Sequence, residues 1–336
     1  MILHRALRAP VVVARRAARA ARRRLRPHAL VLCYHRIAPP ATVDPWRLRV
    51  APERFTQHLE LLREVGELVP LADLRARLDR GDARRPLIAL TFDDGYRDDL
   101  EVALPILQRH QAPATFFVSA AMVGDRRGYF WDELAQLVLG AHPMAARIEC
   151  AVGDERLAWR DPAPAGVAAS PAGRAALHHH LYWKLRPLAP AARHLALDGL
   201  RAALGLSADD AVADPLLTES ELCALAASPL AEVGAHGLVH EELPGMAPER
   251  LRANLEGSRE ACARLFGRPP RAFAYPYGLH DGAARSAAAA AGFEMAFTTH
   301  EALCFASTDP HRLPRCTVVD WNRDAFRQRL AWAWLP

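Results

Sequence analysis

Two adjacent carboxylates, Asp93 and Asp94, follow the short apolar run Leu87-Ile-Ala-Leu-Thr-Phe92 and are closed by Gly95. Ionised carboxylates side by side are costly to bury unless a cation or a shared proton lies between them. A metal meets that need, with one carboxylate as ligand and the other free to act as a base. The alternative is a polar Asp-Asp-Gly turn that only closes a strand. About 140 residues downstream, Glu232-Val-Gly-Ala-His236-Gly-Leu-Val-His240 carries two imidazoles four residues apart, a spacing that puts them on one side of a helical turn. Two histidines and one carboxylate leave one position open around zinc, as catalytic zinc sites do. By itself such a pair is as readily structural; beside a strand-ending Asp-Asp-Gly it reads as a metal site. A third run, Arg271-Ala-Phe-Ala-Tyr275-Pro-Tyr277-Gly278, is again apolar and again ends in turn residues.

In this order and spacing, Thr91-Phe92-Asp93-Asp94-Gly95, His236-x-x-x-His240 and Phe273-Ala-Tyr275-Pro-Tyr277-Gly278 resemble the polysaccharide deacetylases, the NodB-like carbohydrate esterases of family 4, over roughly residues 29 to 330. The resemblance implies Asp93 as general base and Asp94, His236 and His240 as ligands of a divalent metal, Zn2+ foremost among the transition metals. It also implies a substrate, the N-acetyl groups of a hexosamine-containing polysaccharide or oligosaccharide. Two positions depart from the family. Gly237 stands where a serine or threonine is usual, and Ala274 where many members carry an arginine, which leaves Arg271 or Arg315 to supply that cation. The chemistry also needs an oxyanion donor, for which the backbone N–H of Tyr277 is placed, and an acid for the departing amine. Many members take that acid from a histidine near the C-terminus, but no histidine follows Cys316 here. His300 and His311 lie earlier. His35, ending the run Leu32-Cys-Tyr-His35, is the better candidate, with Asp320 or Asp44 to hold it charged.

These residues must be brought together by their elements. Apolar strand candidates are Leu30–Ile37, Leu87–Phe92, Ala114–Ala120, Ala231–Ala235, Ala272–Tyr275, Met295–Thr299 and Cys316–Val319. Helical patterns alternate with them: Pro52–Val65, Asp98–His110 (disturbed at Pro105), Trp131–Gly140, Pro248–Phe266, Gly282–Ala291 and Arg323–Trp334. The alternation predicts an α/β fold of about seven parallel βα units. His35, Asp93-Asp94, His236 and Tyr275-Pro-Tyr277 each follow a strand, and in a parallel barrel such ends share one face. The resemblance implies the distorted TIM-like (β/α) barrel of the NodB-homology fold. Residues 141–217 break the rhythm and read as a loop and then a helical stretch over Leu177–Leu204, an insertion packed over the barrel near its mouth. Its His178-His179-His180 reads as a polar helix face, and Trp131-Asp132-Glu133 as core or as part of a sugar site.

Half of the 336 residues are hydrophobic, ample for a sizeable core. The net charge of +5 is concentrated: residues 1–26 hold nine arginines and no acid, so the remainder carries about −4, which argues against a nucleic-acid-binding body. Residues 1–28 form a basic tail ahead of a domain spanning 29–336. In the tail, Arg15, Arg19, Arg22 and Arg26 recur at helical spacing opposite Ala14, Ala18, Ala21 and Leu25, a pattern for weak contact with an anionic membrane surface or for a solvated tail. The apolar stretch Ala9–Ala14 is too short for a signal peptide, and no run approaches a membrane span of roughly 18 residues. The expected location is the cytoplasm or the surface of the cytoplasmic membrane. Six scattered cysteines without a C-x-x-C pair fit reduced thiols. Competing functions are an O-acetyl esterase or small-molecule amide hydrolase on the same scaffold, and a metal-poor carbohydrate-binding relative. A magnesium-dependent phosphoryl transferase is disfavoured because no Gly-rich phosphate loop follows any strand.

Overall fold

Continuous apolar runs mark strands covered on both faces, and all six residues of β1 (Ala29–Tyr34) and all seven of β5 (Leu87–Asp93) are buried. The computed structural model describes residues 28–153, 155–162, 168–207 and 214–331. The expected basic tail, except His28, lies outside the described residues, as does the end of the helix expected to reach Trp334. The other strands are β2 (Arg36–Ile37), β3 (Arg49–Val50), β4 (Glu67–Leu68), β6 (Ala114–Val118), β7 (Arg147–Val152), β8 (Glu155–Arg160), β9 (Ala231–Ala235), β10 (Ala272–Ala274), β11 (Met295–Phe297) and β12 (Cys316–Thr317).

Seven parallel strands in the order β11-β10-β9-β6-β5-β1-β12 curl into a half-barrel, and β4 adds to the start of β5. This is the expected distorted TIM-like barrel. Its register decides what meets at the rim. Tyr34 pairs with Phe92, Asp93 with Phe117, Val118 with Ala235, and Ala235 with Phe273. His35, Asp93, Ser119, His236 and Ala274 therefore arrive at one edge within two residues of one another. Helices Pro52–Val65 and Pro248–Phe266 bury Phe55, Leu59 and Leu62, and Leu251, Leu255 and Cys262, into a core shared with Phe92, Phe116 and Phe273. Each such large apolar side chain contributes about 1.5–3 kcal/mol on burial.

Several elements differ from expectation. The run Leu30–Ile37 breaks at His35, because β2 leaves the main sheet to pair with β3. The helix expected over Asp98–His110 opens as a π-turn, Asp99–Ala103, before continuing over Leu104–Arg109. Pro105 has no N–H to give the carbonyl four residues back, which accounts for the disturbance. An unexpected helix, Leu71–Arg80, buries Leu71, Leu74 and Leu78 and ends on Gly81 in the left-handed region (φ 69°). Between 141 and 217 the expected loop is partly an antiparallel hairpin, β7 against β8, whose first strand alternates exposed and buried residues. The expected single helical stretch is two helices, Pro171–Leu185 and Pro190–Ala203, restarting at Pro190. They form a second core with the helix Phe130–Leu139, built on Phe130, Trp131, Leu134, Leu181, Tyr182 and Leu197. No helix among the described residues is long and apolar enough to cross a membrane.

Candidate active site

Five non-glycine residues among those described have positive φ, and three of them stand at this rim: Asp94 (81°), His240 (53°) and Tyr277 (58°). A left-handed backbone is costly for a side-chain-bearing residue and persists where the surroundings over-determine it. The two histidines accordingly do not share a helical turn. His236 directly follows β9, the chain turns back through Gly237 (φ 79°), and His240 returns to the same point from a loop. A Cβ at Gly237 would sit 3.3 Å from Asn254 Oδ1 in a left-handed conformation, so a hydroxyl residue here would be crowded and strained. A hydroxyl nearby comes instead from Ser119, which donates to the His236 carbonyl at 2.9 Å. At Gly278 (φ 70°) a Cβ would meet Thr299 Oγ1 at 2.0 Å, which fixes glycine at the end of the third motif.

Asp94 Oδ1 lies 3.5 Å from His236 Nε2 and 3.4 Å from His240 Nε2, and all three residues are buried. One donor atom from each falls within 4.8 Å of the others. His236 Nδ1 donates to the Ala274 carbonyl at 2.7 Å, which turns the Nε2 lone pair toward Asp94. Buried Asp94 Oδ1 has no hydrogen-bond partner, a state a divalent cation would relieve. The residues thus fit such an ion, with the three protein donors and open position of a catalytic site. Burial pushes His240 down to about 3, keeping it the neutral imidazole a metal requires. Burial also lowers His236, but Asp93 and Asp94 outweigh it and raise its pKa. His240 is gripped by rings rather than hydrogen bonds. Trp131 stacks on Tyr129 (4.2 Å, 7°) and meets His240 edge-on at 4.9 Å, with Tyr277 at 4.4 Å on its other contact. Trp131 Nε1 donates to Tyr96 Oη, which donates in turn to Asp132. Trp131 thus belongs both to the core and to the site.

Asp93 faces the other way. Arg315, fully buried, forks onto both of its oxygens at 2.6 Å and also donates to Thr91 Oγ1 and the Thr298 carbonyl. Arg271 pairs with Glu294 at the surface, so Arg315 is the cation that stands in for the arginine absent at Ala274. Burial would raise the Asp93 pKa, but Arg315 and His236 outweigh it and hold the carboxyl well below the usual carboxylate range. A second trio, Cys33, His35 and Asp93, also lies within 4.8 Å. It does not suit a cation: Arg315 already neutralises Asp93, and burial pushes the Cys33 thiol well up, so its S–H donates to Asp93 instead.

His35 is half-buried on the wall of the same pocket. The carboxylate beside it is Asp93, not Asp320 or Asp44. Asp320 accepts from the Ala51 N–H and pairs with Arg54, and Asp44 accepts from the N–H groups of Leu48 and Arg49. His300 and His311 stay outside the pocket; His311 bonds the Phe293 carbonyl. Tyr277 lines the pocket. In the triple histidine, His178 is buried near Trp46, while His179 accepts from Trp183 on the exposed side. Sequence reasoning missed Trp46 and Tyr182, which line the pocket. Tyr182 follows Leu177 and Leu181 on a core-like helix face, and nothing in its spacing sets it apart.

Residues 80–146 and 203–296 match the family described as polysaccharide deacetylase; the gap holds the hairpin and the two helices. A stretch of 110 residues is 27% identical to the polysaccharide deacetylase homologue YxkH of Bacillus subtilis (strain 168), covering 32% of this chain and 37% of that protein. The chain thus spans well under half of that relative. Among solved structures, the Streptococcus pyogenes deacetylase PplD, in complex with acetate, aligns with a TM-score of 0.57 and 16% identity over 92% of this chain and 99% of its own. IcaB from Ammonifex degensii aligns with a TM-score of 0.56 and 20% identity, over 92% and 97%. Both likenesses are of fold. The matching segments carry Asp93-Asp94 and the two histidines, so the chain is similar to the polysaccharide deacetylase family in its site residues as well as in its fold.

Proposed function

We propose that this protein is a metal-dependent hydrolase that removes N-acetyl groups from the amino sugars of a poly- or oligosaccharide. The observation that carries the reading is the division within Asp93-Asp94: Arg315 keeps one carboxylate anionic and apart, while the other joins His236 and His240 as a donor set. Asp94, His236 and His240 would hold a divalent cation, with Zn2+ suited to two imidazoles and one carboxylate. Such an ion supplies Lewis acidity toward the acetyl carbonyl and lowers the pKa of water from about 15.7 toward 7.

Asp93, anionic through the neutral range, accepts the proton of the water that adds to the acetyl carbon. The backbone N–H of Tyr277, a residue of the pocket wall, donates to the developing oxyanion. His35 gives its proton to the sugar nitrogen as the C–N bond breaks, releasing acetate and a free amine. The capture of PplD with acetate supports the same product here. An O-acetyl ester leaves as an alcohol and needs this acid less, so the presence of His35 favours the amide.

The test pairs products with metal content. Purified protein should release acetate and a primary amine from N-acetylglucosamine oligomers; release from O-acetylated sugars alone would assign an esterase. Asp94→Ala, His236→Ala and His240→Ala should each lose both metal and turnover. Asp93→Asn should retain near-stoichiometric metal and lose most of kcat. Metal loss from Asp93→Asn with retention in Asp94→Asn would reverse the two roles.

A further inference from the structure

The strand-end residues build only the floor of the pocket. Its walls come from elsewhere. Trp46, from the loop ahead of β3, and Tyr182, from the helix Pro171–Leu185, both line it, and their rings meet at 4.1 Å. Tyr182 also stacks on Phe130 at 5.7 Å, which anchors it in the second core. One helical turn further on, Arg186 lays its guanidinium 4.0 Å over the Tyr277 ring and pairs with Glu242. The end of this helix is thereby tied on one side to the β2–β3 loop through Trp46, and on the other to the β10 loop through Tyr277. It spans the rim between them.

An internal sugar of a polysaccharide continues into chain on two sides and needs a groove open at both. A terminal sugar needs one opening. Here the Trp46–Tyr182 and Arg186–Tyr277 contacts make one continuous wall across the rim, and the space left beside it is about 220 Å³, room for about one ring. Ligand pockets for larger molecules usually run about 300–1,000 Å³. Aromatic faces from Trp46, Trp131 and Tyr182 suit the apolar C–H face of one pyranose ring.

We infer that the site takes a single terminal N-acetylhexosamine end-on and excludes the internal residues of a long chain, with Trp46 and Tyr182 as the residues that impose this choice. The inference rests on the deacetylase reading for its chemistry, but its geometry can be tested without turnover.

The first arm is binding. In the metal-loaded Asp93→Asn protein, N-acetylglucosamine and its hexamer should bind with similar affinity by calorimetry, since only one ring is held. Roughly tenfold tighter binding of the hexamer, about 1.4 kcal/mol of contacts beyond one ring, overturns the inference, as does failure of both to bind. The second arm maps products. Wild-type protein acting on end-labelled hexamer should place the first amine at a chain terminus, as read by fragment mass spectrometry, and amines spread over internal positions overturn the inference. Trp46→Ala and Tyr182→Ala, each checked for retained metal, should shift amines inward and strengthen hexamer binding relative to the monosaccharide. Unchanged length preference in both arms would show that these rings do not set it. Binding as expected with no acetate released from any N-acetylated sugar would sink the deacetylase reading and leave the end-on pocket standing.

Discussion

Replacing Arg315 by methionine should turn Asp93 from a stabilising group into a destabilising one. The guanidinium is fully buried and makes two 2.6 Å contacts to Asp93, with further bonds to Thr91 and Thr298. Methionine fills much of the same space without the charge. Breaking a buried pair by removing one partner costs about 3–5 kcal/mol, because the remaining charge is left uncompensated. The pH dependence gives the sharper readout. In the wild type, burial raises the Asp93 pKa but Arg315 and His236 overcome it, so the folded value lies below the unfolded one. Asp93 therefore contributes stability that is present above about pH 4, the unfolded value, and is lost as the pH falls further, through the folded one. Without Arg315 the burial effect gains the upper hand, the folded pKa rises, and stability declines as the pH climbs from about 4 toward neutral. Urea unfolding followed by tryptophan fluorescence, with chelator present, should show a small deficit for Arg315→Met at pH 4.5 and a large one at pH 7.5. Adding Asp93→Asn should recover much of the loss at pH 7.5, as a double-mutant cycle on a directly coupled pair requires. A deficit that is the same at both pH values, or a double variant no more stable than Arg315→Met, would refute the reasoning. With metal bound, the acid limb of kcat/KM should move to higher pH in Arg315→Met, since the base must first lose a proton.

Other outcomes follow from the same contacts. His35→Ala should keep its metal and fold, lose about 10²–10⁴ in rate and lose the basic limb of the kcat/KM profile; wild-type rates in that variant, with loss in His300→Ala instead, would move the acid across the sheet. Trp131→Ala should loosen His240 and weaken metal affinity about 10–100-fold, measured by competition with a chromogenic chelator, while Trp131→Phe restores part of it. Deleting residues 1–26, with their nine arginines, should reduce binding to anionic vesicles at low salt without changing specific activity, and the difference should vanish at high salt.

Much of the fold could be read along the chain because its signals are local. The runs that became β1, β5, β6 and β9 are apolar and short, and the helix over Pro248–Phe266 carries a proline start and a glycine stop in its own letters. The clustering of polar residues just past strand ends was equally legible, since parallel topology brings such ends to one face whatever lies between them. The alternation of Arg147–Val152 marks β7 in its own letters, whereas the prolines after β8 give the same region the composition of a loop.

What the linear text left open depends on contacts between distant segments. Arg271 and Arg315 are chemically the same; the register that sets β12 against β1 puts Arg315 under Asp93, while Arg271 precedes β10 and stays with Glu294 at the surface. Spacing placed His236 and His240 on a helical turn, yet left-handed residues at 237 and 240 bring them together from a loop, an arrangement that neighbouring segments must enforce against local preference. Tyr182 reads as one more apolar residue on a helix face. It reaches the pocket because the helices after β8 have a second core to pack on and, in packing there, lean over the barrel's rim. The sequence determined which chemistry was present and where each strand would end; only the tertiary structure decided which charge neutralises Asp93 and which rings close the pocket, because both follow from close packing between segments more than a hundred residues apart.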